Sequence, residues 1–176
     1  QLVIANEVGM YTKDVLGGTG KVCIINRKEG KTDFVQRSEG FRKALEGTDI
    51  EILAEEYSDS DRTQAQTIME NFLTTYPEID LVFTASDDFG YGVLNAIQAA
   101  GKAGQIKIVS IDGQQEVLQA IKARDWDLTI YQTPEMMADK VVEVANRIFA
   151  GETIEEYNQN TDYYLVTSEN VDDYLE

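Results

Sequence analysis

The chain has 176 residues and a formal net charge of −17, from 32 acidic and 15 basic side chains. An apolar content of 43% is enough for one domain with a sizeable core, and it argues against disorder. A surface this acidic repels the phosphates of nucleic acids and the headgroups of anionic lipids, so neither is an expected partner. Histidine is absent and Cys23 is the one cysteine. This excludes histidine-dependent triads, an internal disulfide and a thiolate metal cluster.

Apolar and amphipathic segments alternate along the chain. Residues 21–26 (KVCIIN) are apolar almost throughout, which is typical of a strand buried on both faces of a parallel sheet. Between residues 65 and 76 the apolar residues recur every three or four positions, which predicts a helix capped by Asp61 and ended by Pro77. The predicted strands are 21–26, 49–57, 79–85, 107–111, 126–132 and 162–167. The predicted helices are 2–16, 33–46, 62–76, 87–100, 114–124, 134–150 and a short one within 170–175.

This alternation predicts an α/β fold with three layers, in which helices cover both faces of a mostly parallel, Rossmann-like sheet. In such sheets ligands bind beyond the carboxyl ends of the strands, so polar residues at those positions are candidates for a site. Arg37, in the first turn of a helix, adds a fork of donors to that edge. The strand-end residues are Asn26, Arg27, Lys28 and Glu29; Ser58, Asp59, Ser60 and Asp61; Ser86, Asp87 and Asp88; Asp112; and Gln132.

Each candidate also has a purely structural explanation. Asp61 is better explained as a helix cap than as a ligand contact. Asp87 and Asp88 are equally well explained as caps, and Asp112 as a turn residue before Gly113. Arg37 has the alternative of an exposed helix charge, and Gln132 that of an extended linker before Thr133-Pro134.

Two nucleotide-binding patterns are not satisfied. The stretch GGTGK at 17–21 lies between a helix and a strand, and Val15 occupies the position of the first glycine of a phosphate-binding loop. No G-x-G-x-x-G follows the first strand. Acidic pairs such as Asp87-Asp88 lack a metal-ligand pattern. The sequence therefore predicts neither a cofactor, nor a metal, nor an enzyme.

Five segments in order, spread over nearly the whole chain, resemble the periplasmic sugar-binding proteins of ABC transporters, of the ribose- and galactose-binding type. The resemblance implies a type I periplasmic binding protein fold, in which two similar α/β lobes close on a sugar. This chain resembles the C-terminal lobe. The segments are RSEGFRKAL (37–45), MENFLTTYPEIDLVFTASDDFGYGVLNAIQAAGK (69–102), IKIVSIDGQQEVLQAIKA (106–123), LTIYQTPEMMADKVVEVANRIFAGETI (128–154) and LVTSENVDDYL (165–175).

The resemblance also implies a division of the chain. Residues 1–132 would form the C-terminal ligand-binding lobe, 133–160 would cross to an N-terminal lobe that is missing here, and 161–176 would supply a return strand and a terminal helix. The chain starts at Gln1 without an initiator methionine or signal peptide, as expected of a fragment. The apolar stripe of helix 134–150 would then be uncovered, unless it packs on this lobe or on a second copy to form a dimer.

Four residues match ligand-binding positions of the family. The resemblance implies that Arg37 donates hydrogen bonds to sugar hydroxyls, that Asp112 in the IDG motif accepts them, and that Gln132 contacts the ligand at the hinge. Ser86 stands where the family often has asparagine, so its side chain is shorter and lacks the amide donor. Asp87 and Lys28, on the same edge, complete the predicted ligand-binding set.

The resemblance also bears on an aromatic platform for the sugar. Ser60 stands where ribose-binding relatives carry an aromatic that packs on the sugar, which puts ribose itself in question. The alternative stacking faces are Phe34, Phe89, Tyr91 and Trp126, although each is more often a core residue.

The resemblance implies an extracytoplasmic protein, periplasmic or tethered to the cell surface, that delivers a sugar to the permease of an ABC transporter. The alternatives are the effector-binding domain of a LacI-type repressor and the sugar-sensing ectodomain of a sensor kinase, since both reuse the fold. The tail LVTSENVDDYLE resembles transport proteins rather than repressors.

Overall fold

The computed structural model describes residues 1–27, 31–59, 61–155 and 161–176. Within these ranges the strands are β1 (Thr19–Arg27), β2 (Asp49–Ser58), β3 (Leu81–Thr84), β4 (Lys107–Asp112), β5 (Leu128–Tyr131) and β6 (Tyr164–Thr167). These six strands form one sheet in the order β2-β1-β3-β4-β5-β6. Strands β1 to β5 are parallel, and β6 is antiparallel to β5. This confirms the predicted α/β class and the mostly parallel sheet.

The helices form the two outer layers. The crossover from β1 to β2 moves towards one edge of the sheet, and the crossovers from β2 to β3, β4 and β5 move towards the opposite edge. Because parallel crossovers are right-handed, α2 lies on one face of the sheet and α3 to α5 on the other. Helix α1 packs on α2, and α3 packs on α4. The helices are α1 (Leu2–Val15), α2 (Thr32–Ala44), α3 (Arg62–Thr75), α4 (Asp87–Ala99), α5 (Gln115–Ala123), α6 (Pro134–Phe149) and a 3-10 turn (Val171–Asp173).

The core lies on both faces of the central strands. Residues 22–25 of β1 are fully buried, which explains why that strand is apolar at successive positions rather than at alternate ones. Cys23 is among them, and burial raises the pKa of its thiol to about 12, so it is an unreactive core residue. Helices α1 and α2 approach closely at two glycines. A Cβ on Gly9 would lie 2.5 Å from the Cβ of Ala44, and one on Gly40 would lie 2.2 Å from the carbonyl oxygen of Leu2.

Helix α6 differs from the others because it has no buried residue. Thr133 caps it by accepting a hydrogen bond from the backbone N–H of Met136, and Pro134 occupies its first turn. Val141 is 69% exposed and Phe149 is 88% exposed. The apolar stripe predicted for this helix is therefore not covered by the described part of the chain. None of the described helices is both long and apolar enough to cross a membrane.

Candidate functional site

The site lies at the carboxyl edge of the sheet, where strand order reverses between β1 and β3. Loops leave these two neighbouring strands in opposite directions, and the crevice between them is the usual ligand position in open α/β sheets. Ser86 follows β3, Asp112 ends β4 and Gln132 follows β5. Arg37 reaches the same edge from α2. The fold thus brings together four of the residues that the sequence predicted.

Arg37 and Ser86 hold the two oxygens of the Asp112 carboxylate. Arg37 donates from Nη1 to Oδ1 at 3.0 Å, and Ser86 donates from Oγ to Oδ2 at 2.7 Å. The guanidinium also donates to the carbonyl oxygen of Ala85. Only 7% of the Arg37 side chain is exposed, compared with 32% of the Asp112 side chain. Asp112 therefore presents the accessible acceptor, and Arg37 supports it from below.

The ring of Phe34 is close to two guanidinium groups beside this ion pair. The guanidinium carbon of Arg37 is 5.2 Å from the centroid of Phe34, and that of Arg27 is 5.4 Å from it. Both distances allow cation–π attraction, which limits the conformations open to Arg37. Phe34 is therefore best described as a buried support for the donor fork.

The backbone of Asp112 is unusual. Its φ is 141° and the φ of Gly113 is 81°, both outside the region that L-residues with side chains prefer. A Cβ on Gly113 would lie 2.6 Å from the Cα of Tyr131, so this position requires glycine. Backbone strain of this kind tends to occur at functional sites.

Asp87 lies beneath this turn and has no exposed surface. Its carboxylate accepts hydrogen bonds from the hydroxyls of Ser110 and Thr129 and from the amides of Gly113 and Gln114. Burial first, and then the nearby carboxylate of Asp112, raise its pKa to about 6. Protein covers the whole surface of Asp87 in this structure, so the residue lies beneath the predicted ligand-binding group and not on its open face.

The helix caps at this edge also differ from the prediction. Ser86, not Asp87 or Asp88, caps α4, since its hydroxyl accepts the N–H of Asp88. Asp88 instead pairs with Arg62 at 3.2 Å. Asp61 caps α3 by accepting the N–H of Thr63, as predicted.

Gln132 is buried where β5 leads into α6. Its side-chain amide donates to the hydroxyl of Thr161. Gln1 bridges it to the ion pair, because the Gln1 oxygen accepts from Arg37 Nε at 2.7 Å and the Gln1 amide donates to Gln132 Oε1 at 3.4 Å. Nothing in the sequence pattern pointed to Gln1 or Thr161, since neither follows a predicted strand.

A groove of about 600 Å³ opens beside Asp112 and Gln132. Its opposite wall includes Glu176. Gln115 fixes the C-terminal residues, because its side chain donates to the carbonyl of Tyr174 and accepts the N–H of Glu176. No sequence pattern pointed to the terminal residues, because their approach to the groove depends on the antiparallel pairing of β6.

The proposed stacking aromatics mostly belong to the core. Phe89 and Trp126 are buried, and the indole N–H of Trp126 donates to Ser110 and to the carbonyl of Leu128. Tyr91 packs against Trp126 and lies under Arg62, with 4.5 Å from the Arg62 guanidinium carbon to the ring centroid. Lys28 and Ser60 lie outside the described residues.

The site therefore combines a carboxylate acceptor, a hydroxyl, an amide and a guanidinium within one hydrogen-bonded group. Hydroxyl groups of a ligand are both donors and acceptors, and charged partners make the stronger hydrogen bonds to them. Among the described residues, no group of three acidic, cysteine or histidine side chains could hold a metal ion. The arrangement suits a neutral molecule with several hydroxyl groups.

Comparisons with known proteins agree with this chemistry. The family described as "periplasmic binding protein domain" matches residues 2–153. The ribose import binding protein of Salmonella typhimurium (strain LT2) is 33% identical over 147 residues, which are 84% of this chain and 49% of that protein. The xylitol-binding protein of Mycolicibacterium smegmatis is 32% identical over 152 residues, which are 85% of this chain and 43% of that protein. The chain thus spans about half the length of the curated relatives it matches.

Solved structures match over almost the full chain. An ABC transporter solute binding protein from Bacillus halodurans C-125 with bound myo-inositol is 28% identical, with a TM-score of 0.87 over 99% of this chain and 61% of that one. A periplasmic solute binding protein of an ABC transporter from Actinobacillus succinogenes 130z with bound D-allose is 25% identical. Its TM-score is 0.91 over 98% of this chain and 62% of that one.

Proposed function

Because the chain belongs to the periplasmic binding protein domain family, we propose that it is the C-terminal lobe of an extracytoplasmic solute-binding protein. The complete protein binds a sugar or a related polyol between two lobes and delivers it to the permease of an ABC transporter. The observation that carries this proposal is the Arg37–Asp112–Ser86 group at the carboxyl edge of the sheet.

The ligand class follows from the charges at this edge. Arg37 and Asp112 neutralise each other at 3.0 Å, so the group offers strong hydrogen bonds without favouring an anion or a cation. The names of the relatives mention ribose and xylitol, and the solved neighbours hold myo-inositol and D-allose. These molecules share several adjacent hydroxyl groups and no charge. The relatives are binding proteins, which favours transport over the repressor and sensor-kinase alternatives, and in the proposed function the sugar leaves unchanged.

Helix α6 supports the division of the chain. In the proposal, residues 1–132 form the ligand-binding lobe, 133–160 cross to the second lobe, and 161–176 return. A depression of about 500 Å³ runs along α6 and is lined mainly by apolar side chains. Exposed apolar surface of this extent normally meets a partner surface. The second lobe of the same protein is the proposed partner, and a dimer of this lobe is the competing outcome.

Calorimetric titration of the complete protein tests the function. D-ribose, D-allose, xylitol and myo-inositol are the ligands, and one saturable site per protein is expected for at least one of them. Asp112→Ala should weaken that binding by about 10- to 100-fold, since a hydrogen bond to a charged group contributes about 1.5–3 kcal/mol. The matched control Asp88→Asn changes an exposed carboxylate in the first turn of α4 and should bind as the wild type does.

Two results would count against this proposal. Wild-type protein that binds none of the four ligands would exclude this ligand class. Unchanged affinity in the Asp112→Ala variant would place the site elsewhere. NMR spectra of the released ligand would also detect any chemical change, which the proposal does not allow.

A further inference from the structure

The carboxylate of Asp87 is the centre of a closed hydrogen-bond group under the site. Its Oδ2 accepts from the backbone amides of Gly113 at 2.9 Å and Gln114 at 2.8 Å. Its Oδ1 accepts from the hydroxyls of Ser110 at 2.5 Å and Thr129 at 2.8 Å. One side chain at the start of α4 thereby joins the end of β4, the loop after it and β5.

The two anchored amides are those that directly follow Asp112. Fixing them fixes the peptide planes on the carboxyl side of Asp112, where φ is 141°. From the other side, Ser86 donates to the Asp112 carboxylate at 2.7 Å. Ser86 and Asp87 are adjacent in the chain, so one loop holds both the side chain and the backbone of the exposed acceptor.

We infer that Asp87 is a positioning residue, which holds Asp112 in its strained turn and so sets the direction in which the site presents its acceptor. This inference rests on the proposed function for its effect on binding. Asp87 itself contacts no ligand, because it has no exposed surface.

The polarity of the surrounding group explains why the residue is a carboxylate. The Ser110 hydroxyl already accepts from the indole of Trp126 at 3.1 Å, and the Thr129 hydroxyl accepts from the amide of Gly113 at 3.3 Å. Their own protons therefore point to Asp87. Both oxygens of Asp87 face only donors in this group, an arrangement that an ionised carboxylate satisfies fully.

An asparagine would satisfy the group only in part. Its oxygen could accept the two amides, but its NH₂ would face the two hydroxyls, whose protons would have to turn away. An alanine would take this acceptor away from all four donors and leave the Gly113 amide only its 3.3 Å hydrogen bond to the Thr129 hydroxyl. The loop after β4 should therefore be held most firmly by aspartate at position 87, less firmly by asparagine and least firmly by alanine.

The test uses Asp87→Asn and Asp87→Ala in the complete protein, with two readouts. The first is the affinity for whichever of the four ligands the wild type binds. The second is hydrogen exchange of the Gly113 and Gln114 amides. Asp87→Ala should weaken binding at least 10-fold and speed exchange at these two amides at least 10-fold. Asp87→Asn should give intermediate values for both.

Two controls separate positioning from general loss of stability. Asp88→Asn changes the adjacent exposed carboxylate and should leave both readouts at wild-type values. Phe72→Leu removes buried volume in α3 and should lower stability without changing affinity or the exchange of these two amides under native conditions.

The positioning role of Asp87 can be tested even if the complete protein binds none of the four ligands. In that case the proposed function fails, and hydrogen exchange alone shows whether Asp87 anchors the loop after β4. Fast exchange confined to the loop after β4 supports the inference. The inference is overturned if folded Asp87→Ala protein keeps the wild-type exchange rate at both amides. It is also overturned if that protein keeps the wild-type affinity where binding is measurable.

Discussion

The ionisation of Asp87 should make folding stability depend on pH in a specific direction. Its pKa rises from 3.8 to about 6 on folding, so the folded state holds the proton more tightly than the unfolded state does. This contribution to stability is fully present below pH 3.8 and is lost as the pH rises through about 6. It is opposite in sign to the contribution of a carboxylate whose pKa is lowered by an ion pair.

The magnitude follows from the size of the shift. A shift of about 2 pKa units corresponds to about 3 kcal/mol over the full range. Between pH 5 and pH 7.5, where the titration is practical, the same linkage relation gives about 1 kcal/mol. The carboxylate of Asp112 is the second cause of the shift, after burial.

Urea unfolding of wild type and Asp87→Asn at intervals between pH 5 and pH 7.5 isolates the contribution of Asp87, because the other ionisable groups are common to both proteins. The free energy of unfolding of the wild type, minus that of the variant, should fall by about 1 kcal/mol from pH 5 to pH 7.5. Phe72→Leu, which removes no ionisable group, should differ from wild type by a constant amount. A difference for Asp87→Asn that stays flat or rises with pH would refute the reasoning.

Three further predictions concern the ion pair, the strained turn and α6. Arg37→Met should lower the free energy of unfolding by about 3 kcal/mol in urea, because buried acceptors lose a charged donor; a loss under about 0.5 kcal/mol, typical of surface substitutions, would contradict this. Gly113→Ala should destabilise by at least about 2 kcal/mol more than Gly47→Ala, since both have positive φ but a methyl group at 113 meets Tyr131; equal losses would contradict the clash. Val141→Ser should change the thermal unfolding of this 176-residue chain little and destabilise the complete protein; a clear loss in the chain alone would mean that this lobe covers α6.

The strands and helices were largely predictable because their signals are local. The continuous apolar run of β1, the periodic stripe of α3 and the Thr133-Pro134 start of α6 each act within about a dozen residues. Boundaries moved by one or two positions, and the terminal helix proved to be a short 3-10 turn at Val171–Asp173. Helix ends depend on caps, and the cap of α4 was Ser86 rather than either aspartate that follows it.

The site was only partly predictable. Strand ends in a parallel sheet meet at one edge, so Asp112, Ser86 and Gln132 could be grouped from their positions after strands. Arg37 could be placed near this edge from its position early in a helix, and the resemblance gave it a ligand-binding role. Its contact with Asp112 joins residues 75 positions apart. Gln1 and Glu176 left no signal, because their places depend on how the two ends of the chain return to the sheet.

The sequence alone determined the α/β class, the element order and the polar character of the sheet edge, since these follow from hydrophobic periodicity and from residue type. Tertiary structure decided which polar residues face solvent and which lie beneath. Asp87 and Asp112 look alike as strand-end carboxylates, yet one is covered by donors from three elements and the other remains open. Burial depends on partners that are distant in the chain, and no local pattern encodes it.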